Sequence, residues 1–330
     1  MKIIITGGAG FIGSHLVDSL LRDNHNITIL DNLSTGRLEN LSHVSDKIRF
    51  IDCDLSQRGT WEDQCDDCDV IFHLAALADV VPSVKNPTKY YDSNVNGTFN
   101  ILQFARNKNV KKFVYAASSS CYGIAKEFPT REDATIDLQY PYALTKRIGE
   151  ELTLHWGNLY NINVTSMRFF NVYGPRARTS GTYGAVFGVF LAQLIANKPF
   201  TIVGDGTQTR DFTYVTDLAE ALKSAMETQG KNQIYNVGSG ETTSINKIAE
   251  LLGGKDYEKL YIPKRPGEPD CTFADITKIQ RDLNWSPKIS IEEGVKEILK
   301  HIDYWKEAPV WTPETISYET KDWFKYLGEK

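Results

Sequence analysis

The sequence has no apolar run approaching the roughly 20 residues that a membrane-crossing helix needs. Its start enters a strand-like segment at once, with no basic stretch, long apolar core or small-residue cleavage site. No signal peptide is therefore expected, and the expected compartment is the cytoplasm. Charge of one sign is also missing: the net charge of −5 is too mild for a general nucleic-acid surface. Cysteine is scarce, five in 330 residues, and odd in number, which suits a reducing compartment rather than a disulfide framework. The one CxxC, Cys65-Asp66-Asp67-Cys68, has no second pair, so it reads as surface thiols between two elements, and no bound metal is expected. N-x-S/T triplets at Asn32, Asn40, Asn96 and Asn163 carry no meaning without secretion. There is no internal repeat and no low-complexity linker, and the length fits one large or two ordinary domains.

What is present is organised around the beginning. Ile3 to Ile5 is a short apolar run ending in Thr6, and Gly7, Gly10 and Gly13 follow at G-x-x-G-x-x-G spacing. Leu16, Val17, Leu20 and Leu21 then fall at helical spacing, and a second β-rich run, Ile27 to Leu30, ends in Asp31. Strand, glycine turn, helix, strand, acid is the order a dinucleotide site needs. Gly7 allows the tight turn, Gly10 lets the backbone approach a pyrophosphate, and Gly13 lets the helix pack close to the sheet. The helix N-terminus offers free N–H groups to the phosphates. Asp31 accepts hydrogen bonds from the adenosine ribose and repels a 2′-phosphate, so NAD is expected rather than NADP.

Strands and helices continue to alternate. Strands are expected at Ile48–Asp52, Val70–Leu74, Lys112–Ala116 and Val164–Phe169, and long helices over Asn86–Asn107 and Tyr142–Leu159. The fold class this implies is α/β, a Rossmann-like doubly wound parallel sheet, with ligands at the carboxyl ends of strands. The second half is less regular and reads as a smaller, mixed α/β C-terminal substrate domain. Helices are expected at 181–197, 217–228, 244–252 and 292–305, strands at 201–203, 212–215 and 234–237, and a proline-rich charged loop over Pro263–Asp270. The expected division is 1–175 and 176–330, with segments near 209–240 returning to the first. The aromatic tail, Trp311, Tyr318, Trp323, Phe324 and Tyr326, is expected to pack on its own domain or a partner subunit.

Tyr142 and Lys146 form a Y-x-x-x-K, which places both side chains on one helix face. A nearby ammonium favours phenolate, so the expected Tyr142 is a general base with a lowered pKa. Ser118, at the end of a preceding strand, is placed to hydrogen-bond the same substrate oxygen.

These segments together resemble the extended short-chain dehydrogenases/reductases that work on nucleotide-sugars. The likeness runs through TGGAGFIG, LDNLSTG, CDL, HLAA, NVNGT, ASSSCYG, YALTK, RFFNVYGPR, GDGTQTRDFTYVTD, NVGSG and the RPGEPD loop, and is closest to the UDP-glucose/UDP-galactose 4-epimerases, including forms that take N-acetylated sugars. The resemblance implies that Gly7, Gly10, Phe11, Ile12 and Gly13 line the pyrophosphate and that Asp31 and Asn32 hold the adenosine ribose. Asp54 and Leu55 then flank the adenine, and Leu74, Ala75 and Ala76 pass under the cofactor. Asn94 lies near the nicotinamide end, Lys146 reaches its ribose, and Phe170 packs near it. Ser118, Tyr142 and Lys146 are the implied catalytic set. Ser119 and Ser120 fall on the substrate side, Asn171 and Arg210 hold the nucleotide diphosphate, Arg265 adds a second charge, and Glu268 takes the uridine ribose hydroxyls. An arginine pair suits a diphosphate, and a carboxylate suits a diol. A homodimer through the helices containing Asn94–Ala105 and Tyr142–Trp156 is also implied.

Two positions vary from or choose within that pattern. Ala78 stands where many epimerases carry a lysine. Thr272 stands where strictly UDP-galactose enzymes carry a tyrosine, which leaves room for an N-acetyl group. Sugar 4,6-dehydratases carry Asp and Glu after the catalytic Ser/Thr, and Ser119 and Ser120 cannot serve as that pair. A UDP-glucuronate decarboxylase or epimerase stays open, with Arg176 and Arg178 as candidates for the carboxylate. So do a ketosugar reductase and a non-catalytic NAD-binding protein.

Overall fold

A computed structural model describes residues 1–65, 67–177, 185–228 and 230–328. The chain opens with β1 (Lys2–Thr6), α1 (Phe11–Arg22), β2 (Asn26–Asp31), β3 (Ile48–Asp52), α2 (Trp61–Gln64), β4 (Val70–His73), α3 (Val80–Lys85), α4 (Pro87–Tyr91), α5 (Gly97–Asn107), β5 (Lys112–Ser118), α6 (Pro141–Tyr160) and β6 (Asn163–Phe169). It continues through β7 (Asn171–Tyr173), α7 (Val186–Ile195), β8 (Phe200–Val203), β9 (Thr209–Arg210), β10 (Phe212–Tyr214), α8 (Val215–Glu227) and β11 (Gln233–Val237). The last elements are β12 (Thr243–Ser244), α9 (Ile245–Gly253), β13 (Lys259–Ile262), α10 (Thr277–Leu283), α11 (Ile291–Lys300), α12 (Pro313–Glu319) and α13 (Lys321–Leu327).

Seven strands form one parallel sheet in the order β3-β2-β1-β4-β5-β6-β11. Strand alternation sorts its side chains onto two faces. Ile3 and Ile5 face a core with Leu16, Val17 and Leu20 of α1 and Leu218 and Leu222 of α8. Ile4 between them faces Ile101, Leu102 and Ala105 of α5 on the other side. Helices on both faces of a parallel sheet make this a Rossmann-like doubly wound α/β fold. Strand order reverses between β1 and β4, which opens a crevice at their carboxyl ends. A second core gathers Phe187 and Phe190 of α7, Phe200 and Ile202 of β8, Ile248 of α9, Ile298 of α11, Trp305 and Trp323.

Some elements differ from their expected form. The helix expected over Asn86–Asn107 is broken: a π-helical turn over Asp92–Asn96 separates α4 from α5, and Gly97 N–H reaches back to Asp92 O. The helix expected over 292–305 ends regularly at Lys300 and finishes in a tight 3₁₀ turn, Ile302–Trp305. Its start is fixed by a capping box between Ser290 and Glu293. The helix expected from Gly181 begins at Val186, and residues 181–184 lie outside the described residues. The CxxC cysteines are not surface thiols: Cys65 is buried and Cys68 partly buried against the α5 core. In the tail Ile316 and Trp323 are buried, while Tyr318, Phe324 and Tyr326 face solvent.

Candidate active site

A cleft of about 650 Å³ runs along the carboxyl ends of the sheet. At one end is the glycine turn. Gly7 has φ +70°, and a Cβ there would lie 2.8 Å from Ala75 N. A Cβ on Gly13 would lie 2.2 Å from Gly7 O, so the helix can approach the turn this closely only without a side chain. The N-terminus of α1 has no side-chain cap and no acidic residue in its first turn, which leaves its N–H groups available to an anion. Gly10, Phe11 and Ile12 line the cleft beside it. Asp31, at the end of β2, accepts from Ala9 N at 3.0 Å and Leu33 N at 2.9 Å, and burial pushes its carboxyl up. Asn32, Asp54, Leu55, Leu74, Ala75 and Ala76 complete this end. The uncapped helix, the cradle that a Cβ would fill and the acid at the second strand end fit a dinucleotide.

The floor beneath it is pinned by a chain of hydrogen bonds. Leu74 N and Ala75 N donate to Thr6 Oγ1 at 3.2 and 3.1 Å. Thr98 Oγ1 donates to Asn94 O, so it accepts from His73 Nε2 at 2.9 Å, and His73 Nδ1 accepts from Thr6 Oγ1 at 2.7 Å. That arrangement needs a neutral imidazole, and burial pushes His73 down to about 3.

Ser118 ends β5, and Tyr142 and Lys146 follow on α6, whose first turn is preset by Pro141. The Ser118 hydroxyl lies close enough to the Tyr142 phenol to oppose the rise in its pKa, and all three residues are buried in the cleft wall. The expected lowering of the Tyr142 pKa is not found. Burial pushes it up to about 12, only partly opposed by Ser118, and the charge of Asp79 adds to the rise. Burial pushes Lys146 down to about 7, partly opposed by Glu150. The reason is that both groups lose hydration in the same closed site.

Opposite lies a charged cluster. Arg265 Nη2 is 2.7 Å from Glu268 Oε1, and Arg210 is close enough to feel both charges. Thr272 Oγ1 donates to Asn171 Oδ1 at 3.1 Å. These residues line the cleft with Ser119, Ser120, Phe170 and Ala78. Asn94 does not line it. Its side chain, in the π turn, is 1% exposed and bonds Leu77 N, Leu77 O and Thr145 Oγ1. Arg176 does line the cleft, but its guanidinium is 2.8 Å from Asp18 of α1; Arg178 lies outside the described residues. Sequence reasoning missed Asp79 and Tyr140 in the wall. The one local signal for Tyr140 is its place just before Pro141-Tyr142; Asp79 has none.

Residues 3–238 match the family model described as the NAD dependent epimerase/dehydratase family. The chain is 37% identical over 308 residues to the UDP-glucose 4-epimerase of Mycolicibacterium smegmatis, covering 91% of this chain and 98% of that protein. It is similar to the crystal structure of UDP-glucose 4-epimerase with UDP-glucose from Thermotoga maritima, with a TM-score of 0.86, 33% identity and coverage of 93% and 99%. It is also similar to UDP-glucuronic acid 4-epimerase from Bacillus cereus in complex with UDP-glucuronic acid and NAD, with a TM-score of 0.84, 33% identity and coverage of 93% and 99%. Among the described residues no helix is long and apolar enough to cross a membrane.

Proposed function

The chain belongs to the NAD dependent epimerase/dehydratase family, and from that premise we propose that it is a UDP-hexose 4-epimerase acting on UDP-glucose and UDP-galactose. The observation that carries this reading is that Ser118, Tyr142 and Lys146, all buried, meet on one wall of a cleft between a dinucleotide turn and a charged cluster suited to a nucleoside diphosphate. In this reading residues 1–175, with the returning 209–240 segment, carry the cofactor, and the rest mainly carries the substrate.

The roles follow from the chemistry of each group. Gly7, Gly10, Phe11, Ile12 and Gly13 hold the pyrophosphate of NAD, and Asp31 and Asn32 hold its adenosine ribose. When bound, NAD supplies a hydride acceptor for C4 and a cationic ring that lowers the cost of a phenolate. Tyr142 takes the proton of the sugar 4-hydroxyl and later returns it. Ser118 hydrogen-bonds that oxygen throughout, and Lys146 favours the phenolate whenever it is protonated. Arg210, Arg265 and Asn171 keep the diphosphate anchored while the 4-keto sugar turns over, and Glu268 exchanges its partner Arg265 for the uridine ribose diol. Thr272 leaves room for an N-acetyl group, so the N-acetyl forms are included. A homodimer through α5 and α6 fits Leu144 and Leu159, which are exposed on α6.

The likeness to the B. cereus enzyme favours a second reading, a UDP-glucuronate enzyme. Against it, the Arg176 guanidinium is engaged by Asp18. The test is an NMR time course with UDP-glucose, UDP-N-acetylglucosamine and UDP-glucuronate, without added NAD. Galacto-configured product without loss of mass supports the proposal. Loss of carbon dioxide, or turnover of UDP-glucuronate alone, moves the assignment to the second reading. In a separate assay with NAD(P)H added, its stoichiometric consumption would instead mark a ketosugar reductase.

A further inference from the structure

Trp323 of α13 is 0% exposed, although Tyr318, Phe324 and Tyr326 around it face solvent. Two contacts hold it. Its indole N–H donates to Pro266 O at 2.8 Å. Its ring lies 5.4 Å from the Tyr140 ring, tilted by 47°. Pro266 is the residue between Arg265 and the Gly267-Glu268 turn, in the loop that carries the charged cluster. Tyr140 is the N-cap of α6, two residues before Tyr142, and lines the cleft with Ser120. The same tail reaches a third wall: α13 packs on α3, and Lys85 of α3 lies 3.9 Å from Glu319 and 6.0 Å from the Tyr318 ring. Val80 and Val81, at the other end of α3, line the cleft.

One indole thus touches both the loop of the substrate anchors and the cap of the catalytic helix. That loop follows β13 without a sheet partner of its own until Cys271. An unsupported loop must be ordered when ligand binds, and the ordering entropy weakens binding. We propose that Trp323 is a positioning residue for the substrate: it fixes the Arg265–Glu268 loop against the start of α6, so that the nucleotide anchors stand at a set distance from Tyr142 before substrate arrives. This rests on the reading of Arg265 and Glu268 as nucleotide-diphosphate and ribose anchors.

The test uses the full-length holoprotein. Trp323→Ala raises the KM for UDP-glucose by about tenfold or more, with kcat much less affected and NAD content unchanged. Trp323→Phe keeps an aromatic ring but loses the N–H, and gives an intermediate KM. Because linkage is reciprocal, UDP added to the wild type slows amide hydrogen exchange over residues 312–327. A folded Trp323→Ala with an unchanged KM overturns the proposal, and so does a tail whose exchange ignores UDP. The exchange measurement and Trp323→Phe decide the matter if Trp323→Ala does not fold. Arg265→Ala separates the two layers. Unchanged UDP affinity in that variant overturns the anchor reading itself, whereas weakened affinity beside a silent Trp323→Ala overturns only the positioning role.

Discussion

Burial favours the neutral forms of both Tyr142 and Lys146, pushing the phenol up and the ammonium down, because each is taken out of water with few opposite charges around it. In the proposed reading the phenol works as a base only when cationic charge gathers beside it, which ties proton removal to a loaded cleft. Tyr142→Phe deletes the proposed proton shuttle and keeps the ring that packs edge-on against Tyr90. The expected result is a fall in kcat of about 10²–10⁴-fold with unchanged NAD content and thermal stability; a wild-type rate would show the assignment of Tyr142 to be wrong. The Y-x-x-x-K spacing was readable because a helix brings i and i+4 together. The direction of the pKa shifts was not, since burial and Asp79 come from other elements. His73 gives a second residue-level outcome. Its folded pKa, about 3, is below the unfolded value near 6.5, so only the unfolded chain takes up the proton between them. Stability contributed by the neutral ring is whole above about 6.5 and is lost as pH falls toward 3, by about 1.4 kcal/mol per pH unit. His15, lowered to about 4 by burial while bonded to Pro175 O, acts in the same direction. Urea unfolding at pH 7 and pH 5 should show the loss, and His73→Gln should reduce it by about half while leaving the part due to His15; an unchanged slope in that variant would remove His73 from the account.

The π turn over Asp92–Asn96 shows the limit of periodicity at the scale of an element. The apolar positions Val95, Phe99, Leu102 and Ala105 do mark one face, and the structure buries Val95, Leu102 and Ala105. A widened turn leaves that spacing nearly intact while rotating what precedes it, so nothing in the pattern announced the break. Its consequence is local and specific: Asn94 is turned inward and spends its amide on Leu77 and Thr145, clamping the segment after β4 onto α6. It serves the cleft through the segment it holds. Asn94→Ala leaves the N–H and C=O of Leu77 without their partner, at a cost of about 1–3 kcal/mol for each group that finds no substitute. Guanidinium unfolding should show a lower midpoint at unchanged slope, and weaker NAD retention should accompany it because Ala75 and Ala76 lie on the clamped segment. An unchanged midpoint would mean that water replaces the amide.

At the scale of the whole molecule, the parallel sheet of β1 to β6 was legible because alternating strands and helices leave few handed solutions, though its strand order was not read from the sequence. Contacts between distant segments leave no local period, and the cleft depends on several. Tyr304 is the clearest. It sits in the 3₁₀ turn after α11, beside Trp305 of the second core, yet its hydroxyl donates to Asn40 Oδ1 at 3.2 Å and its ring lies 4.3 Å beneath the Arg37 guanidinium. Asn40 Nδ2 and Arg37 N both donate to Ala9 O, at 2.9 and 3.0 Å, and Ala9 N donates to Asp31. A residue packed on the second core is thereby tied, through two links, to the glycine turn and to the acid proposed to hold the adenosine ribose. Such a tie keeps the turn ordered and resists opening of the cleft along its cofactor end. Tyr304→Ala removes the ring and the hydroxyl together, and Tyr304→Phe removes only the hydroxyl. The expected order of NAD retention through gel filtration is wild type, then Phe, then Ala, with the UDP-sugar KM measured at saturating NAD nearly unchanged. Equal retention in all three would mean that the glycine turn is held by β1, β2 and α1 alone. A raised KM at saturating NAD would place the role of Tyr304 on the substrate side.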